Sequence, residues 1–178
     1  MYPNVPVCDI VGISTNQLDP NVGDHEGNTP LAWCVINLSH PRTIEALLKY
    51  FPASDPHKKN KAGSSPLLLA YERHQEERKY QEEDKGLVYL QKLLAAPRIQ
   101  INAYDVESIL SQAVFSNNVS VVKELLRAGV DPLTTDETGR SQIQLAEFLG
   151  HLEISKLLRG QDARSGANTG TDKSSRNS

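Results

Sequence analysis

The pattern of hydrophobic and polar positions is repeated four times along the chain. Each repeated segment contains a hydroxyl residue and, five positions later, a small residue: Thr29 and Cys34, Ser65 and Ala70, Ser108 and Ala113, Ser141 and Ala146. A pair of adjacent leucines closes each segment, at positions 47–48, 93–94, 125–126 and 157–158. The small residues lie 36, 43 and 33 positions apart. A period in this range indicates a repeat architecture in which each unit packs only on its neighbours.

Two of the segments begin with a helix start signal. Thr29 precedes Pro30, and Ser65 precedes Pro66. A hydroxyl side chain at the N-cap accepts a hydrogen bond from the first helical turn, and proline fits the next position because its missing N–H would have no partner there. The small residue allows two helices to approach closely, and the leucine pair lies on the second of them. The sequence therefore predicts an all-α fold with a turn and two helices in each unit.

This arrangement resembles the ankyrin repeat family, whose units of about 33 residues contain a turn, a short helix and a second helix. The resemblance covers residues 19–160 and implies a curved solenoid of four divergent repeats with short hairpin fingers. The third segment lacks the turn glycine of the family. The family's histidine after Thr-Pro-Leu is also missing, and its place is taken by Ala32, Leu68, Ser111 and Gln144.

Two further segments flank the array. We interpret residues 1–18 as an N-terminal cap or a degenerate segment. Residues 161–178 contain no apolar side chain larger than alanine and are rich in Ser, Gly, Asn and Asp. Such a composition cannot bury enough apolar surface to offset the entropy of ordering. The sequence therefore predicts a disordered polar tail after residue 160.

Repeat two is longer than the others. The spacings from the hydroxyl residue to the first leucine of the pair are 18, 28, 17 and 16 residues. About 12 extra residues therefore fall within the segment 71–86, which is rich in Glu, Lys and Arg and contains no proline. These residues favour helix. We predict that both helices of repeat two are lengthened, by roughly 9 Å if six residues go to each.

Composition excludes several classes of function. The chain has 178 residues, a formal net charge of −3 and two cysteines, Cys8 and Cys34. This charge gives no general attraction for nucleic acid, and no apolar run reaches the ~20 residues of a membrane helix. We therefore expect neither nucleic-acid binding nor membrane insertion. Two cysteines cannot form a disulfide framework, which favours the cytoplasm. The polar last repeat favours a monomer.

The sequence contains no catalytic, cofactor or metal motif, so we predict that the protein is not an enzyme and needs no cofactor. Cys34 with His25 or His40 resembles a thiol and a base, but Cys34 holds the small core position, where we expect burial. For Trp33 we favour packing over a role as a binding anchor. An aromatic residue two positions after the small residue, as at 115 and 148, is either a contact anchor or extra packing.

The resemblance implies a protein–protein interaction module, an adaptor or scaffold that binds another protein through the finger tips and the concave helix face. Matched onto this chain, the finger-tip positions are His25, Glu26, Asn28, Lys61, Ala62, Tyr104, Glu107, Glu137 and Arg140. The inner-helix positions are Ile36, Asn37, Glu72, Arg73, Phe115, Ser116, Phe148 and Leu149.

Two alternatives stay open at this stage. One is a bacterial effector that is translocated into a host cell, acts in the host cytosol and mimics eukaryotic ankyrin scaffolds. Divergent repeats and a hydroxyl-rich tail favour it. The other is a non-catalytic fragment of a larger enzyme. Only about 36 residues lie outside the array, and they are too few for a catalytic core, so this alternative requires the catalytic part to lie elsewhere in a longer protein.

Overall fold

The computed structural model describes residues 19–80, 84–96, 99–100, 104–135 and 139–166, with side chains as far as residue 160. These ranges are helical, apart from turns and one isolated bridge between Thr135 and Ser141. The helices are α1 (Pro30–Ile36), α2 (Pro41–Tyr50), α3 (Pro66–Tyr80), α4 (Lys85–Leu94), α5 (Tyr104–Phe115), α6 (Val119–Ala128), α7 (Gln142–Phe148) and α8 (Leu152–Gly166).

The helices stack in two layers. In one layer α1 packs on α3, α3 on α5 and α5 on α7, and in the other α2 packs on α4, α4 on α6 and α6 on α8. Each consecutive pair also packs within itself as a hairpin. Among the described residues, the main helix contacts therefore lie within a hairpin or between neighbouring hairpins, which is the arrangement of a helical solenoid. The prediction of an all-α repeat fold is confirmed.

Side-chain caps begin the helices where the sequence places them. Thr29 Oγ1 accepts a hydrogen bond of 3.3 Å from the N–H of Ala32, and Ser65 Oγ accepts one of 3.2 Å from Leu68. Ser141 forms a capping box with Gln144, in which each side chain bonds the other residue's backbone N–H. These bonds satisfy donors that a helix start otherwise leaves unpaired.

The small residues and the leucine pairs form the core between the repeats. Buried there are Cys34, Ala70, Ala113, Ala146, Leu48, Leu93, Leu94, Leu125, Leu126 and Leu158. Leu47 and Leu157, in the first and last repeats, are only partly buried. This difference follows from the solenoid, since a terminal repeat has a neighbour on one side only.

Repeat two lengthens one helix rather than two. α3 spans 15 residues against seven in α1 and α7, whereas α4 spans 10 residues, like α2 and α6. The prediction that both helices are lengthened is therefore wrong for α4. Gly86 of α4 packs directly on the backbone of His74, so α4 begins beside that residue. The six residues of α3 after His74 add about 9 Å to the helix, at 1.5 Å per residue.

The third hairpin begins earlier than the repeat pattern predicts. α5 starts at Tyr104, so Ser108 lies within the helix and is not its N-cap. Tyr104 and Glu107 are consequently helical, and their assignment to a finger tip is wrong. The first turn contains Asp105 and Glu107, whose negative charges suit the N-terminal end of the helix dipole. The third segment has no glycine to form the turn between a finger and the first helix, and here the helix begins at Tyr104 instead.

The predicted flanking segments lie mostly outside the described residues. The interpretation of residues 1–18 as a cap falls entirely there, as does the predicted disorder of residues 167–178. α8 continues to Gly166, so the first six residues of the predicted tail extend the last helix. Residues 161–164 are Gln, Asp, Ala and Arg, and once a helix has formed, extending it by such residues costs little.

Candidate functional site: the concave helix face

An open groove of about 500 Å³ runs across the inner helices of repeats two, three and four. Phe115 ends α5 and Phe148 ends α7, and they are 68% and 76% exposed. Both stand two positions after the buried small residue of their repeat, so the repeat itself aligns them. We call this the aromatic groove. It is lined by Tyr71, Gln75, Ser111, Gln112, Phe115, Ser116, Arg140, Leu145, Phe148 and Leu149.

Hydrogen bonds fix the polar side chains of the aromatic groove. Gln75 Nε2 donates to the hydroxyl of Tyr71 and to Ser116 Oγ, the latter at 3.2 Å. Ser116 Oγ in turn donates to the carbonyl of Gln112 at 2.8 Å. Tyr71 is buried, and its burial raises the pKa of the phenol above its ordinary value. The groove therefore presents neutral, already bonded polar groups beneath the two exposed rings.

The charge of the aromatic groove comes from Arg140. Its guanidinium lies 5.5 Å from the centre of the Phe148 ring, within the range of a cation–π contact. The described lining contains no carboxylate. The aromatic groove is therefore an apolar surface with a guanidinium at its edge.

The structure places the other predicted inner-helix residues on a separate part of the concave face. Ile36 and Asn37 follow one another at the end of α1, and both are exposed. Glu72 and Arg73 of α3 line a smaller groove with Ile36, and Arg73 lies 3.6 Å from Glu76. Burial, and then the nearby Glu76 carboxylate, raise the pKa of Glu72. The predicted residues therefore form two surfaces rather than one.

The finger-tip residues divide into exposed and structural positions. His25, Glu26 and Lys61 are exposed, whereas Asn28 is buried. Asn28 Oδ1 accepts a hydrogen bond of 2.8 Å from Asn60 Nδ2, which ties the first finger to the second. The expectation that Asn28 faces a partner is therefore wrong. Glu137 lies outside the described residues.

Tyr104 stays exposed although it belongs to a helix. Its ring lies 5.7 Å from Lys59 Nζ of the second finger. Glu107, one turn further along α5, is partly buried. The structure thus places Tyr104 beside the fingers and leaves its side chain available for contact.

A buried polar cluster joins repeats two and three. The Asp105 carboxylate accepts hydrogen bonds from His57 Nδ1 at 2.8 Å and from Ser65 Oγ at 2.7 Å. His57 Nε2 accepts a bond of 3.0 Å from the N–H of Gln100. Burial raises the pKa of Asp105, but the bonds from His57 and Ser65 outweigh it and hold that pKa below its ordinary value.

This cluster contains the residue types of a hydrolytic triad without its connectivity. In a triad the histidine bonds the serine hydroxyl and removes its proton. Here the serine donates to the aspartate, and both histidine nitrogens have other partners. The arrangement therefore stabilises the fold. Sequence reasoning missed it because His57 and Asp105 are 48 residues apart and neither occupies a position that recurs in the repeat pattern.

A second buried histidine joins the same repeats at the other end of the inner helices. His74 Nδ1 donates to Asp84 Oδ1 at 2.7 Å, and its Nε2 accepts from Asn118 Nδ2 at 2.8 Å. Nearby, the buried Glu77 accepts a 2.6 Å hydrogen bond from the N–H of Gly86. These contacts explain how polar residues of the repeat-two extension are buried without unpaired charge.

Cys34 and Trp33 are adjacent in α1 but differ in environment. Cys34 is buried, as predicted, and burial raises the pKa of its thiol, which makes it a poor nucleophile. Trp33 is 52% exposed, so the expectation that it packs in the core is wrong. The described part of the chain has no cluster of three or more His, Cys, Asp or Glu that could hold a metal ion.

The stacked hairpins and their buried small residues define the class of the chain, a helical repeat protein. Its repeat type follows from comparison with known families: residues 26–61 match the family model of the ankyrin repeat. The resemblance to ankyrin-repeat proteins is therefore confirmed, and such repeats are in general non-catalytic modules for protein–protein interaction. A comparison with curated proteins finds no match. Within the described ranges, no helix is long and apolar enough to cross a membrane.

Proposed function

We propose that this protein is an adaptor or scaffold that binds a partner protein mainly through the aromatic groove. The observation that carries the proposal is the exposure of Phe115 and Phe148 at equivalent positions of neighbouring inner helices. Single exposed apolar residues are ordinary on a protein surface, but two large rings lining one groove form a patch of the kind that binds partners.

The two rings supply enough energy to anchor a partner. Fully burying a Phe side chain contributes about 1.5–3 kcal/mol, so covering the exposed share of each ring contributes about 1–2 kcal/mol. The hydrogen-bonded floor holds the groove in one arrangement, so little entropy is lost when a partner docks. We expect the bound segment to carry apolar side chains that pack on the two rings.

Exposed finger residues extend the contact surface in this proposal. The exposed residues are His25 and Glu26 of the first finger, Lys61 of the second finger, and Tyr104 beside it. In the family that the chain resembles, the fingers and the inner helices face the same side of the array. Rim contacts of this type alter association rate and specificity more than affinity. The aromatic groove is therefore the place where truncation has the greatest effect.

A pair of matched variants tests the proposal. The double change Phe115→Ala with Phe148→Ala removes the two rings, while Tyr50→Ala with Leu152→Ala removes exposed apolar surface from the outer helices α2 and α8. Partners are captured from lysate on each chain, and the dissociation constant of each is measured with purified components. Circular dichroism verifies that all three chains keep their helical content.

We expect the phenylalanine variant to lose about 2 kcal/mol or more of binding energy, which is roughly a thirty-fold weaker dissociation constant. The outer-helix variant should bind like the unchanged chain. Equal binding by all three folded chains would refute the aromatic groove as the main contact. Equal loss in both variants would mean that the contact is not confined to the concave face.

A further inference from the structure

The second finger of the array carries a cluster of positive charge. Lys58, Lys59 and Lys61 lie on this finger, and their side chains are exposed. Residues 56–71 contain no Asp or Glu, although the whole chain has a formal net charge of −3. Within the described ranges, no ion pair to a carboxylate involves any of the three lysines. We call residues 58–61 the basic finger.

Hydrogen bonds to both neighbouring repeats hold the basic finger in place. Toward repeat one, the N–H of Lys61 donates to the carbonyl of Glu26 at 2.9 Å. Toward repeat three, His57, which directly precedes the lysines, donates from Nδ1 to the Asp105 carboxylate at 2.8 Å. The lysines therefore extend from a backbone that is fixed on two sides, so little backbone entropy is lost when a partner docks on them.

Tyr104 adds an aromatic surface to the basic finger. Its ring is 67% exposed and its centre lies 5.7 Å from Lys59 Nζ. The other lysine–aromatic contacts of the described ranges, in α2 and α3, join residues that are adjacent in the sequence. The contact of Lys59 depends on the fold instead, because it joins the basic finger to α5 of the next repeat. An ammonium group beside an exposed ring offers a partner a charged and an apolar contact at the same place.

The neighbouring finger has the opposite charge, which limits what the basic finger can bind. The first finger carries Asp24 and Glu26, and both are exposed. A long polyanion such as nucleic acid would meet these carboxylates as well as the net negative charge of the chain, and both repel it. Residues 56–71 also contain no arginine, the side chain whose planar fork matches phosphate. A short segment that carries carboxylates therefore suits the basic finger better than a polymer of phosphates does.

We propose that the basic finger and Tyr104 bind a short acidic segment of the partner protein, with carboxylates at the lysines and an apolar side chain on the tyrosine ring. This binding mode rests on the proposed function, because it assigns the chemistry of the same partner. It uses a different surface, since neither the basic finger nor Tyr104 lines the aromatic groove. Exposed ion pairs are individually weak, so the basic finger adds selectivity and speeds association while the aromatic groove anchors the partner.

Binding of a fluorescein-labelled hexaglutamate peptide to the full chain tests the proposal, and hexaglutamine is the uncharged probe. Fluorescence anisotropy measures each dissociation constant. The glutamine variant removes the positive charges by Lys58→Gln, Lys59→Gln and Lys61→Gln, and an arginine variant at the same three positions keeps them. The control removes the same charge from exposed positions elsewhere, by Lys49→Gln, Lys79→Gln and Lys156→Gln.

We expect the unchanged chain, the arginine variant and the control to bind hexaglutamate in preference to hexaglutamine. The glutamine variant should bind hexaglutamate roughly tenfold more weakly. Added salt should weaken this binding, because the contacts are exposed. The variant Phe115→Ala with Phe148→Ala should bind hexaglutamate like the unchanged chain, because its change lies in the aromatic groove. The two surfaces are therefore tested separately.

Equal hexaglutamate binding by the glutamine variant and the control would overturn the proposal, as would binding that salt does not weaken. If the unchanged chain does not bind hexaglutamate, the proposal is also wrong, and the aromatic groove keeps its own test. Tighter binding of oligothymidylate or of phosphatidylserine vesicles through the same lysines would identify phosphate as the ligand and overturn it too. If circular dichroism shows that the glutamine variant has lost helix, Lys59→Gln alone takes its place, and the salt dependence of the unchanged chain still decides.

Discussion

The contact between α3 and α4 makes a sharp prediction about one glycine. An added Cβ at Gly86 would lie 2.2 Å from the backbone nitrogen of His74 and 2.5 Å from its Cα, whereas real Cβ atoms stay at least 3.0 Å from such atoms. In Gly86→Ala, α4 must therefore move away from α3 by roughly 1 Å, and overpacking of this kind costs about 1–3 kcal/mol.

The same shift disturbs hydrogen bonds that cross the contact. Glu77 is buried and accepts a 2.6 Å bond from the N–H of Gly86, and His74 is buried beside Asp84. Leaving a buried acceptor without its donor costs about 1–3 kcal/mol more. The total, about 2–6 kcal/mol, is a large share of the ~5–15 kcal/mol by which a domain is ordinarily stable.

Urea unfolding followed by circular dichroism measures this loss. Gly160→Ala is the matched control, because Gly160 lies in α8 with open space around it and alanine favours helix there by about 0.5–1 kcal/mol. We expect the unfolding midpoint to fall strongly in Gly86→Ala and to rise slightly in Gly160→Ala. A loss below about 1 kcal/mol in Gly86→Ala would refute the close packing of α4 on His74.

Two further predictions concern buried titratable groups. The folded pKa of Asp105 lies below its ordinary value of 3.8, so its contribution to stability is complete above the unfolded pKa and is lost as the pH falls through the folded pKa. Between about pH 5 and pH 2 the urea midpoint should therefore fall more in the unchanged chain than in Asp105→Asn, and parallel curves would contradict the cluster with His57. In a Cys8→Ser chain, Cys34 should react with a disulfide reagent far more slowly when folded than in urea, because burial raises its thiol pKa. Similar rates in both states would show that Cys34 is accessible.

Local signals in the sequence are sufficient to predict most of the helices. Thr29 and Ser141 cap helices as their position before the apolar run indicates, and Gly129 ends α6 in the left-handed conformation at φ 94°. Each of these features depends on residues within one helical turn. The small residue and the leucine pair then fix which helix faces pack together.

Long-range contacts account for the parts that the sequence did not predict. Ser108 stands in the register of an N-cap, yet α5 begins at Tyr104, and Asp105 is tied there by His57 from the preceding repeat. α4 keeps its ordinary length because Gly86 meets His74. The repeat pattern predicts neither contact, because these residues are not among the hydroxyl, small or leucine positions that recur in every repeat.

The candidate site shows the same division. The offset of Phe115 and Phe148 from their small residues predicts a shared surface, and the structure places both at one groove. The groove also depends on Tyr71 and Gln75 of α3, which packs beside α5, and Gln75 belongs to the part of α3 that exceeds the length of α1. The positions of Tyr71 and Gln75 relative to the small residue Ala70 do not indicate from the sequence that they line this groove.

Polar bonds between repeats also fix the helices that carry the proposed binding surface. At the last junction, Gln142 Nε2 donates to Ser111 Oγ at 2.7 Å, and His151 Nδ1 donates to the carbonyl of Val114 at 2.8 Å. Both bonds connect repeat four to α5, the helix that carries Phe115. Because they fix α5 relative to repeat four, they set the separation of the two helix ends that carry Phe115 and Phe148. Helices held in this way lose little entropy on binding, which is the property that the proposed function requires of the aromatic groove.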